Sequence, residues 1–463
     1  MNHARALVSL TTLALALPAL AQSPAKEAPP APGAPKAFNL PVPQRFTLDN
    51  GLKVTFVQYG SLPKVAVELS VLSGNAYEKA GETWLADLTG RLMREGTRTR
   101  SSTELSLAAA RLGGNLEVQT GEDRTGLGGE ALSEFAPEMV ALVADLAQNP
   151  AFPESELGRL KSDLLRQLSI ARSQPQPLAR ERFRQALYGD HPYGRLYPTP
   201  EQLQGYTVAQ ARAFYEATFG ASRAHLYVCG RFDAAKVEQA VRQAFAPFRK
   251  GTLAQSPKPA PQSRRQVLLV DKPGAVQSTI LMGLPVIPQS DPDWVPLQVA
   301  HTLLGGYFSS RITANIREQK GYTYSPRSEL AARKGDASWS ELADVTTAVT
   351  GASLKEIFFE IERLQKEPPS PEELQAVKNY LGGTFVLQNS SRQGIIGQLQ
   401  NLELQGLGDD YLKTWVAKVQ AVTPAQVSEM VRKHLAADRM TIVVVGDRKV
   451  LEEQVQPDGP PAP

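Results

Sequence analysis

The sequence predicts an α+β protein made of two similar domains, and an internal repeat is the first observation behind this prediction. Residues 207–211 (Thr-Val-Ala-Gln-Ala) and 423–427 (Thr-Pro-Ala-Gln-Val) each open a helical pattern. Each pattern leads into an apolar strand that ends in glycine, at residues 226–230 and 442–446. An offset of roughly 216 residues relates both pairs, which is typical of a duplicated domain.

Strand and helix patterns are segregated along each half, and this is the second observation. Residues 53–57 (Lys-Val-Thr-Phe-Val) form a strand pattern directly after the turn at residues 49–51 (Asp-Asn-Gly). Long helical patterns follow in separate runs instead of alternating with single strands. This segregation favours an α+β fold over an alternating α/β fold.

Composition divides the 463-residue chain into six segments. An apolar run at residues 6–17 and the small-x-small sequence Ala19-Leu20-Ala21 predict a signal peptide, with export to the periplasm after cleavage near Ala21. Pro-rich stretches predict linkers and a flexible tail. The predicted divisions are a signal peptide at 1–21, a Pro/Ala-rich linker at 22–40, an N-terminal domain at 41–250, an interdomain linker at 251–263, a C-terminal domain at 264–450 and a flexible tail at 451–463.

Charge and cysteine content argue against several classes of protein. The formal net charge is +3, and the Lys and Arg residues are dispersed, so no nucleic-acid partner is expected. The apolar run at residues 6–17 is too short to span a bilayer, so no integral membrane segment is expected. The single cysteine, Cys229, cannot form an internal disulfide, so the stability of the fold must come from its core.

Residues 83–97 are the most informative segment and read Thr-Trp-Leu-Ala-Asp-Leu-Thr-Gly-Arg-Leu-Met-Arg-Glu-Gly-Thr. They resemble the zinc-binding helix of the pitrilysin/insulinase family of metallopeptidases, whose pattern is T-G-L-A-H-F-L-E-H-M-L-F-K-G-T. Asp87, Gly90 and Arg91 stand where the family has His, Glu and His. In that inverted zinc motif the imidazoles bind the metal and the Glu is the general base. The resemblance therefore implies a family member that kept the fold and lost the metal; the alternative is an unrelated amphipathic helix with chance similarity.

The last zinc ligand of the family is replaced as well. Residues 152–168 resemble the pattern F-P-E-E-E-L-E-R-E-K-x-V-I-L-R-E-M, with Gln167 at the ligand position and Leu160 at that of a second Glu. A neutral amide is a poor zinc ligand, and Arg91 places a cation where a cation should bind. We therefore expect no cofactor on this chain. We also expect Asp87 and Arg91, one helical turn apart, to form an ion pair.

A replacement metal site elsewhere is not expected. Outside the leader, His191, His225, His301 and His434 are scattered, with no pair at helical or hairpin spacing. His225 lies in the apolar run 224–229 and is interpreted as a strand residue.

The C-terminal half carries a second signature. Residues 303–311 and 316–325 are similar to the family pattern L-G-G-x-x-S-S-R-L…L-R-E-x-x-G-L-A-Y-S, and the family's functional pair maps onto Arg317 and Tyr324. The resemblance implies that this pair contacts substrate. Arg can grip a peptide carbonyl with a charge-assisted fork, and a Tyr hydroxyl can donate to a developing oxyanion. The structural alternative is a local ion pair for Arg317 and a Tyr324 that only packs in a strand.

Weaker matches extend the resemblance from about residue 45 to residue 447. Residues 73–78 resemble the turn G-S-R-x-E before the zinc helix, and residues 112–120 resemble the strand L-G-G-x-x-N-A-x-T. In the family an extended peptide substrate adds to that strand by β-augmentation. Glu117 and Val118 stand where the family has Asn and Ala. The resemblance also implies two similar α+β halves that face each other like a clamshell and form half of a peptide chamber.

Three functions are compatible with these features. In the first, the chain is the non-zinc half of a heteromeric metallopeptidase, and a paralogue with an intact His-x-x-Glu-His motif supplies zinc for the cleavage of unstructured peptides. In the second, it is an inactive peptide-binding or scaffold protein of the cell envelope. In the third, Asp87 and other carboxylates hold a metal of their own; Arg91 and the absence of a base at Gly90 argue against this reading.

Overall fold

The computed structural model describes residues 41–455. The predicted signal peptide at 1–21, the predicted linker at 22–40 and residues 456–463 of the predicted tail lie outside the described residues. Within the described part, no helix has the length and apolar character needed to cross a bilayer.

The first residues of the predicted tail are packed against the C-terminal domain. Leu451 and Val455 are buried, and Gln454 Nε2 donates a hydrogen bond to the carbonyl of Thr347 at 2.9 Å. A flexible tail from residue 451 is therefore the wrong boundary, because two apolar side chains of this segment leave water on folding.

The N-terminal domain contains a six-stranded sheet. Its strands are β1 (Gln44–Thr47), β2 (Lys53–Gln58), β3 (Lys64–Val71), β4 (Glu117–Thr120), β5 (Thr125–Leu132) and β6 (Ala224–Gly230). The strand order is β1-β2-β6-β3-β5-β4, and only the β2–β6 pair is parallel. Its helices are α1 (Leu85–Arg94), α2 (Ser102–Arg111), α3 (Ala136–Gln148), α4 (Glu154–Ser173), α5 (Pro175–Tyr188), α6 (Pro200–Gly205), α7 (Val208–Thr218) and α8 (Ala234–Phe245). Strand β4 is therefore an edge strand.

The C-terminal domain repeats this plan with five strands. They are β7 (Gln266–Asp271), β8 (Gln277–Val286), β9 (Arg327–Arg333), β10 (Asp336–Thr346) and β11 (Thr441–Gly446), in the order β7-β11-β8-β10-β9. Its helices are α9 (Trp294–His301), α10 (Arg311–Thr313), α11 (Thr350–Lys366), α12 (Pro371–Gln388), α13 (Arg392–Gln405), α14 (Asp410–Ala421), α15 (Pro424–His434) and α16 (Arg448–Leu451). Helix α9 runs on into a π-helical segment, Thr302–Gly306, and α10 into another, Ala314–Gln319. The prediction of two similar α+β domains is confirmed.

One helix from each domain packs against the sheet of the other domain. Helix α5 packs on β8 and β11, while α13 packs on β3 and β6. The two helices are related by the same offset of roughly 216 residues that relates the sequence repeats. Phe183 and Leu187 of α5 share an apolar cluster with Leu281 and Val443 of the C-terminal sheet. This exchange joins both domains into one compact unit, although residues 251–265 between them contain neither helix nor strand.

Polar contacts reinforce the exchanged helices. Arg392 at the start of α13 grips the carboxylate of Glu130 with two hydrogen bonds of 3.0 Å. Tyr188 at the end of α5 donates to Asp336 Oδ2 at 2.6 Å. Charge-assisted and bidentate bonds of this kind fix geometry as well as adding stability. The exchanged helices α5 and α13 are therefore held in a defined position relative to both sheets.

Candidate functional site

A buried carboxylate from the preceding turn holds the start of helix α1. Glu78 accepts hydrogen bonds from the backbone N–H of Ala86 at 2.8 Å and of Trp84 at 3.2 Å, and it also accepts one from Asn75 Nδ2 at 3.0 Å. Burial raises the pKa of Glu78 to about 8, although the hydrogen bond from Ala86 lowers it. The turn at residues 73–78, matched from sequence, thus determines where α1 begins.

Asp87 faces this turn and not Arg91. Its Oδ2 accepts a hydrogen bond from Asn75 Nδ2 at 2.7 Å, while Arg91 Nη2 donates to Gln167 Oε1 at 2.7 Å. The predicted Asp87–Arg91 ion pair is wrong, since none of the ion pairs in the described chain joins these two residues. Asp87 instead binds the neutral amide of Asn75 in the turn. The Arg91 guanidinium binds the amide oxygen of Gln167, which α4 places within reach.

The replaced positions lie together, but their atoms do not suit zinc. Helix α1 packs against α4, which brings Arg91 and Gln167 side by side as the resemblance implies, and Leu160 is buried in the core. Zinc is held by imidazole, thiolate or carboxylate ligands, whereas this site offers one carboxylate, one amide and a permanent cation. Within residues 41–455 no group of three His, Cys, Asp or Glu residues is placed to hold a metal.

Gly90 occupies a point where α1 nearly touches strand β4. A Cβ atom at residue 90 would lie 2.6 Å from Thr120 Oγ1 and 3.3 Å from Val118 Cγ1. Glycine in mid-helix costs about 1 kcal/mol relative to alanine, so the close approach explains a residue that helix propensity disfavours. Val118 is larger than the Ala of the family pattern. Relative to the family pattern, the side chain is thus smaller at residue 90 (Gly for Glu) and larger at the neighbouring residue 118 (Val for Ala).

We expect Gly90→Ala to destabilise the protein by about 1 kcal/mol, because overpacking costs about 1–3 kcal/mol and outweighs the gain in helix propensity. Denaturant unfolding measures this change. The matched control is Gly158→Ala in α4, where a Cβ atom meets nothing within 4 Å and the same substitution should stabilise by up to about 1 kcal/mol. In a Val118→Ala/Thr120→Ala background, which removes both Thr120 Oγ1 and Val118 Cγ1, the cost at residue 90 should vanish. Equal effects at both glycines would contradict the steric account.

Strand β4 lies at the open edge of the N-terminal sheet and carries Glu117, where the family pattern has Asn. The side chain of Glu117 accepts hydrogen bonds from Asn115 Nδ2 at 2.8 Å and Gln119 Nε2 at 3.1 Å. These contacts lay three polar side chains along the strand. Glu117 therefore places a carboxyl group on the open edge of the sheet, at a position where the family pattern has Asn.

The second candidate pair comes together in the C-terminal domain. Arg317 lies in the π-helical segment that follows α10, and Tyr324 precedes strand β9. The Arg317 Cζ atom is 5.0 Å from the ring centre of Tyr324 and 4.4 Å from that of Phe308. The three side chains line an open pocket of about 360 Å³. The structure therefore brings Arg317 and Tyr324 into direct contact.

The surroundings of this pair weigh against a purely structural role for Tyr324. Tyr324 is 81 % exposed and Phe308 is 66 % exposed, so neither side chain serves the core. Arg317 does make a local ion pair, with Nε 3.4 Å from Glu318 Oε1, but an exposed pair of this kind contributes little. Phe308 was not among the predicted site residues. Its residue type inside the matched segment 303–311 was visible in the sequence, but its exposure was not, so no sequence signal identified it.

The two candidate sites are separate in this chain. Arg317 and Tyr324 share their pocket with residues 305–308 and 325–327, while Asp87, Gly90, Arg91 and Gln167 lie on α1 and α4. Within the described residues, no hydrogen bond, ion pair or ring contact links one group to the other.

Comparisons with known proteins agree with this geometry. The family model described as Insulinase (Peptidase family M16) matches residues 54–201, and the model described as Peptidase M16 inactive domain matches residues 205–381. Together the two matches span residues 54–381 except 202–204, and they include every candidate residue discussed above.

Bacterial relatives match over most of the chain. An uncharacterized zinc protease of Rickettsia felis is 23 % identical over 342 residues, covering 73 % of this chain and 82 % of the relative. One of Streptomyces coelicolor is 22 % identical over 416 residues, covering 88 % and 90 %. The crystal structure of a peptidase M16 inactive domain from Pseudomonas fluorescens superposes with a TM-score of 0.80 at 24 % identity, covering 88 % of this chain and 98 % of that one. The chain therefore belongs to the insulinase (M16) family of peptidases, as a member with a degenerate zinc site.

Proposed function

We propose that this chain is the non-zinc subunit of an exported heteromeric metalloendopeptidase. Its partner is a paralogue with an intact His-x-x-Glu-His motif, which supplies the zinc and the general base. The observation that carries the proposal is the contrast between the two sites. Arg91 is tied to Gln167 at the replaced metal position, whereas Arg317 and Tyr324 stand open to a pocket.

The retained pair has the chemistry to orient a peptide. Phe308 and Tyr324 flank the Arg317 guanidinium through cation–π contacts, which restrict its rotamers while leaving N–H donors available. Arg317 would grip a substrate carbonyl. The Tyr324 hydroxyl, exposed in this chain, would donate to the oxyanion that develops as the peptide is attacked.

The test is the cleavage of an unstructured fluorogenic peptide by the mature chain alone, by the motif-bearing paralogue of the same cell alone, and by both together. Each sample is measured with and without a zinc chelator, and size-exclusion chromatography establishes assembly. We expect chelator-sensitive cleavage in the mixture that far exceeds the sum of the separate rates. Chelator-sensitive cleavage by this chain alone would overturn the proposal.

A second candidate function is a catalytically inactive peptide-binding or scaffold subunit of the cell envelope. The observation that favours it is the altered edge of β4, where Glu117 is held along the strand by Asn115 and Gln119. In the same experiment this function predicts a stable complex whose cleavage rate equals that of the paralogue alone. Assembly without any gain in rate would thus select the scaffold over the catalytic subunit.

A further inference from the structure

A small pocket between the two domains has a mainly basic wall. It has a volume of about 80 Å³, and its lining includes Lys53, Arg124 and Arg223 from the N-terminal domain and Lys334 from the C-terminal domain. We call it the basic pocket. It is distinct from the pocket of Arg317 and Tyr324, with which it shares no lining residue.

The one carboxylate in the lining of the basic pocket, that of Glu403, already has hydrogen-bond partners within the protein. Glu403 accepts from Lys53 Nζ at 2.8 Å, from Tyr227 Oη at 2.7 Å and from His225 Nδ1 at 2.7 Å when that nitrogen is protonated. This cluster balances the charge of Lys53. The other three cations of the basic pocket are left without a carboxylate from its wall.

The nearest acids in sequence are also engaged elsewhere. Glu122 pairs with Arg184 at 2.7 Å and with Arg333 at 3.0 Å, and Asp123 accepts a hydrogen bond from Tyr193 Oη at 2.6 Å. Among the described residues, neither Arg124 nor Lys334 has a carboxylate oxygen within ion-pair distance.

Arg223 presents a fixed cation to the same space. Its guanidinium donates two hydrogen bonds to the Leu72 carbonyl, at 2.9 and 2.5 Å, and its Cζ atom lies 4.6 Å from the ring centre of Tyr77. The side chain is almost fully buried. A buried cation without a counter-charge is costly, and a bound anion would offset that cost.

We infer that the basic pocket binds a small oxyanion, with phosphate or a carboxylate group as the ligand class. Three cations that form no ion pair supply the charge, although the nearby Asp123 partly balances Lys334, and Ser70 and Ser222 add hydroxyl groups to the lining. The pocket volume of about 80 Å³ is well above the roughly 10–15 Å³ that one water molecule needs on the same measure, so one phosphate or one carboxylate group fits.

Binding at this position would tie the two domains together. The cations come from both domains, so an anion bridges the β4–β5 turn and the segment just before β6 to the β9–β10 turn. A ligand that binds only the folded chain stabilises it in proportion to the logarithm of its concentration over Kd. The basic pocket is therefore a site at which a small anion stabilises the closed packing of the two domains.

The test is isothermal titration of the full mature chain with inorganic phosphate, and separately with acetate, at constant ionic strength. We expect one phosphate or acetate site per chain and a matching rise in Tm. Affinity should fall by about tenfold or more in Arg124→Gln and in Lys334→Gln, each of which removes one charge-assisted contact. Arg223 is left intact because its loss could prevent folding. The preferred ligand distinguishes free phosphate from the carboxylate of a peptide.

Phosphate also stabilises proteins by exclusion from their surfaces, so a control is required. Lys236→Gln removes a cation that is 76 % exposed on α8, far from the lining of the basic pocket, and should leave binding and Tm shift unchanged. Absence of a saturable site for both anions would overturn the inference. So would equal shifts in the wild-type chain and in the Arg124→Gln/Lys334→Gln double variant.

Discussion

Tyr324→Phe is expected to slow peptide cleavage by the assembled peptidase by about 10²–10³-fold, the loss typical of one donor to a developing oxyanion. The substitution removes only the hydroxyl, which lies on a side chain that is 81 % exposed and outside the core. The effect should fall on kcat more than on KM, since the bond forms mainly in the transition state. Steady-state kinetics of the purified complex measure it. This expectation rests on the proposed function.

The matched control is Tyr322→Phe, which removes a hydroxyl two residues away and outside the Arg317 pocket. It should leave both kcat and KM unchanged. Arg317→Lys provides a second comparison, because it keeps the charge but loses the planar fork. Assembly is monitored by size-exclusion chromatography in every case. An intact complex with wild-type kinetics for Tyr324→Phe would refute the catalytic role of the hydroxyl.

The second large effect concerns Glu341, a carboxyl group buried beneath the π-helical segment that ends at Gly306. Glu341 has no exposed surface, and no side chain donates a hydrogen bond to its carboxyl oxygens; the one donor close to them is the backbone N–H of Arg327. A Cβ atom at Gly305 would lie 2.8 Å from Oε2, so the carboxyl presses directly on the backbone of this segment. Burial raises the pKa of Glu341 well above its usual value, with a smaller opposing effect from Arg327.

The sign of the pH dependence follows from this shift. Above the ordinary pKa of a glutamate, 4.5, the unfolded chain loses the proton that folded Glu341 keeps. Unfolding then releases a proton, so stability falls as the pH rises, by up to about 1.4 kcal/mol per pH unit until the folded pKa is reached. Glu341→Gln keeps the shape of the side chain and removes the titration.

We expect the stability of Glu341→Gln relative to the wild type to increase steadily as the pH rises from 5 to 8. Denaturant unfolding at a series of pH values measures the difference. The buried Gln amide changes the free energy of unfolding by the same amount at every pH, so it adds no pH dependence of its own. Glu329→Gln on strand β9, where the side chain is exposed, is the control and should leave the slope unchanged. Parallel stability curves for Glu341→Gln and the wild type would contradict a buried, protonated Glu341.

Several features could be predicted because their signal is local. Leu85, Leu88 and Leu92 repeat at helical spacing and are all buried, so the frame of α1 was visible in sequence. The repeat offset predicted two similar domains, since both copies must bury equivalent faces. The matched segment 316–325 predicted Arg317 and Tyr324 as a functional pair, whereas the contact between the two side chains is visible only in the structure.

Contacts between distant segments were not predictable in the same way. The partner chosen by Asp87 is Asn75, and that of Arg91 is Gln167, 76 residues along the chain. Spacing on one helix indicates only which side chains could meet. The partners of Asp87 and Arg91 depend on how α4 and the turn before α1 pack around α1, because that packing decides which donors and acceptors come within reach.

The sequence alone determined the family frame, the duplicated α+β plan and the replacement of all zinc-site residues, because these depend on residue type and local periodicity. Only the tertiary structure decided that α5 and α13 exchange sheets, that Val118 closes the space over Gly90 and that cations of both domains converge in the basic pocket. Each of these is a contact between segments far apart in the chain. Such contacts arise from the packing of whole elements, and local sequence patterns do not encode them.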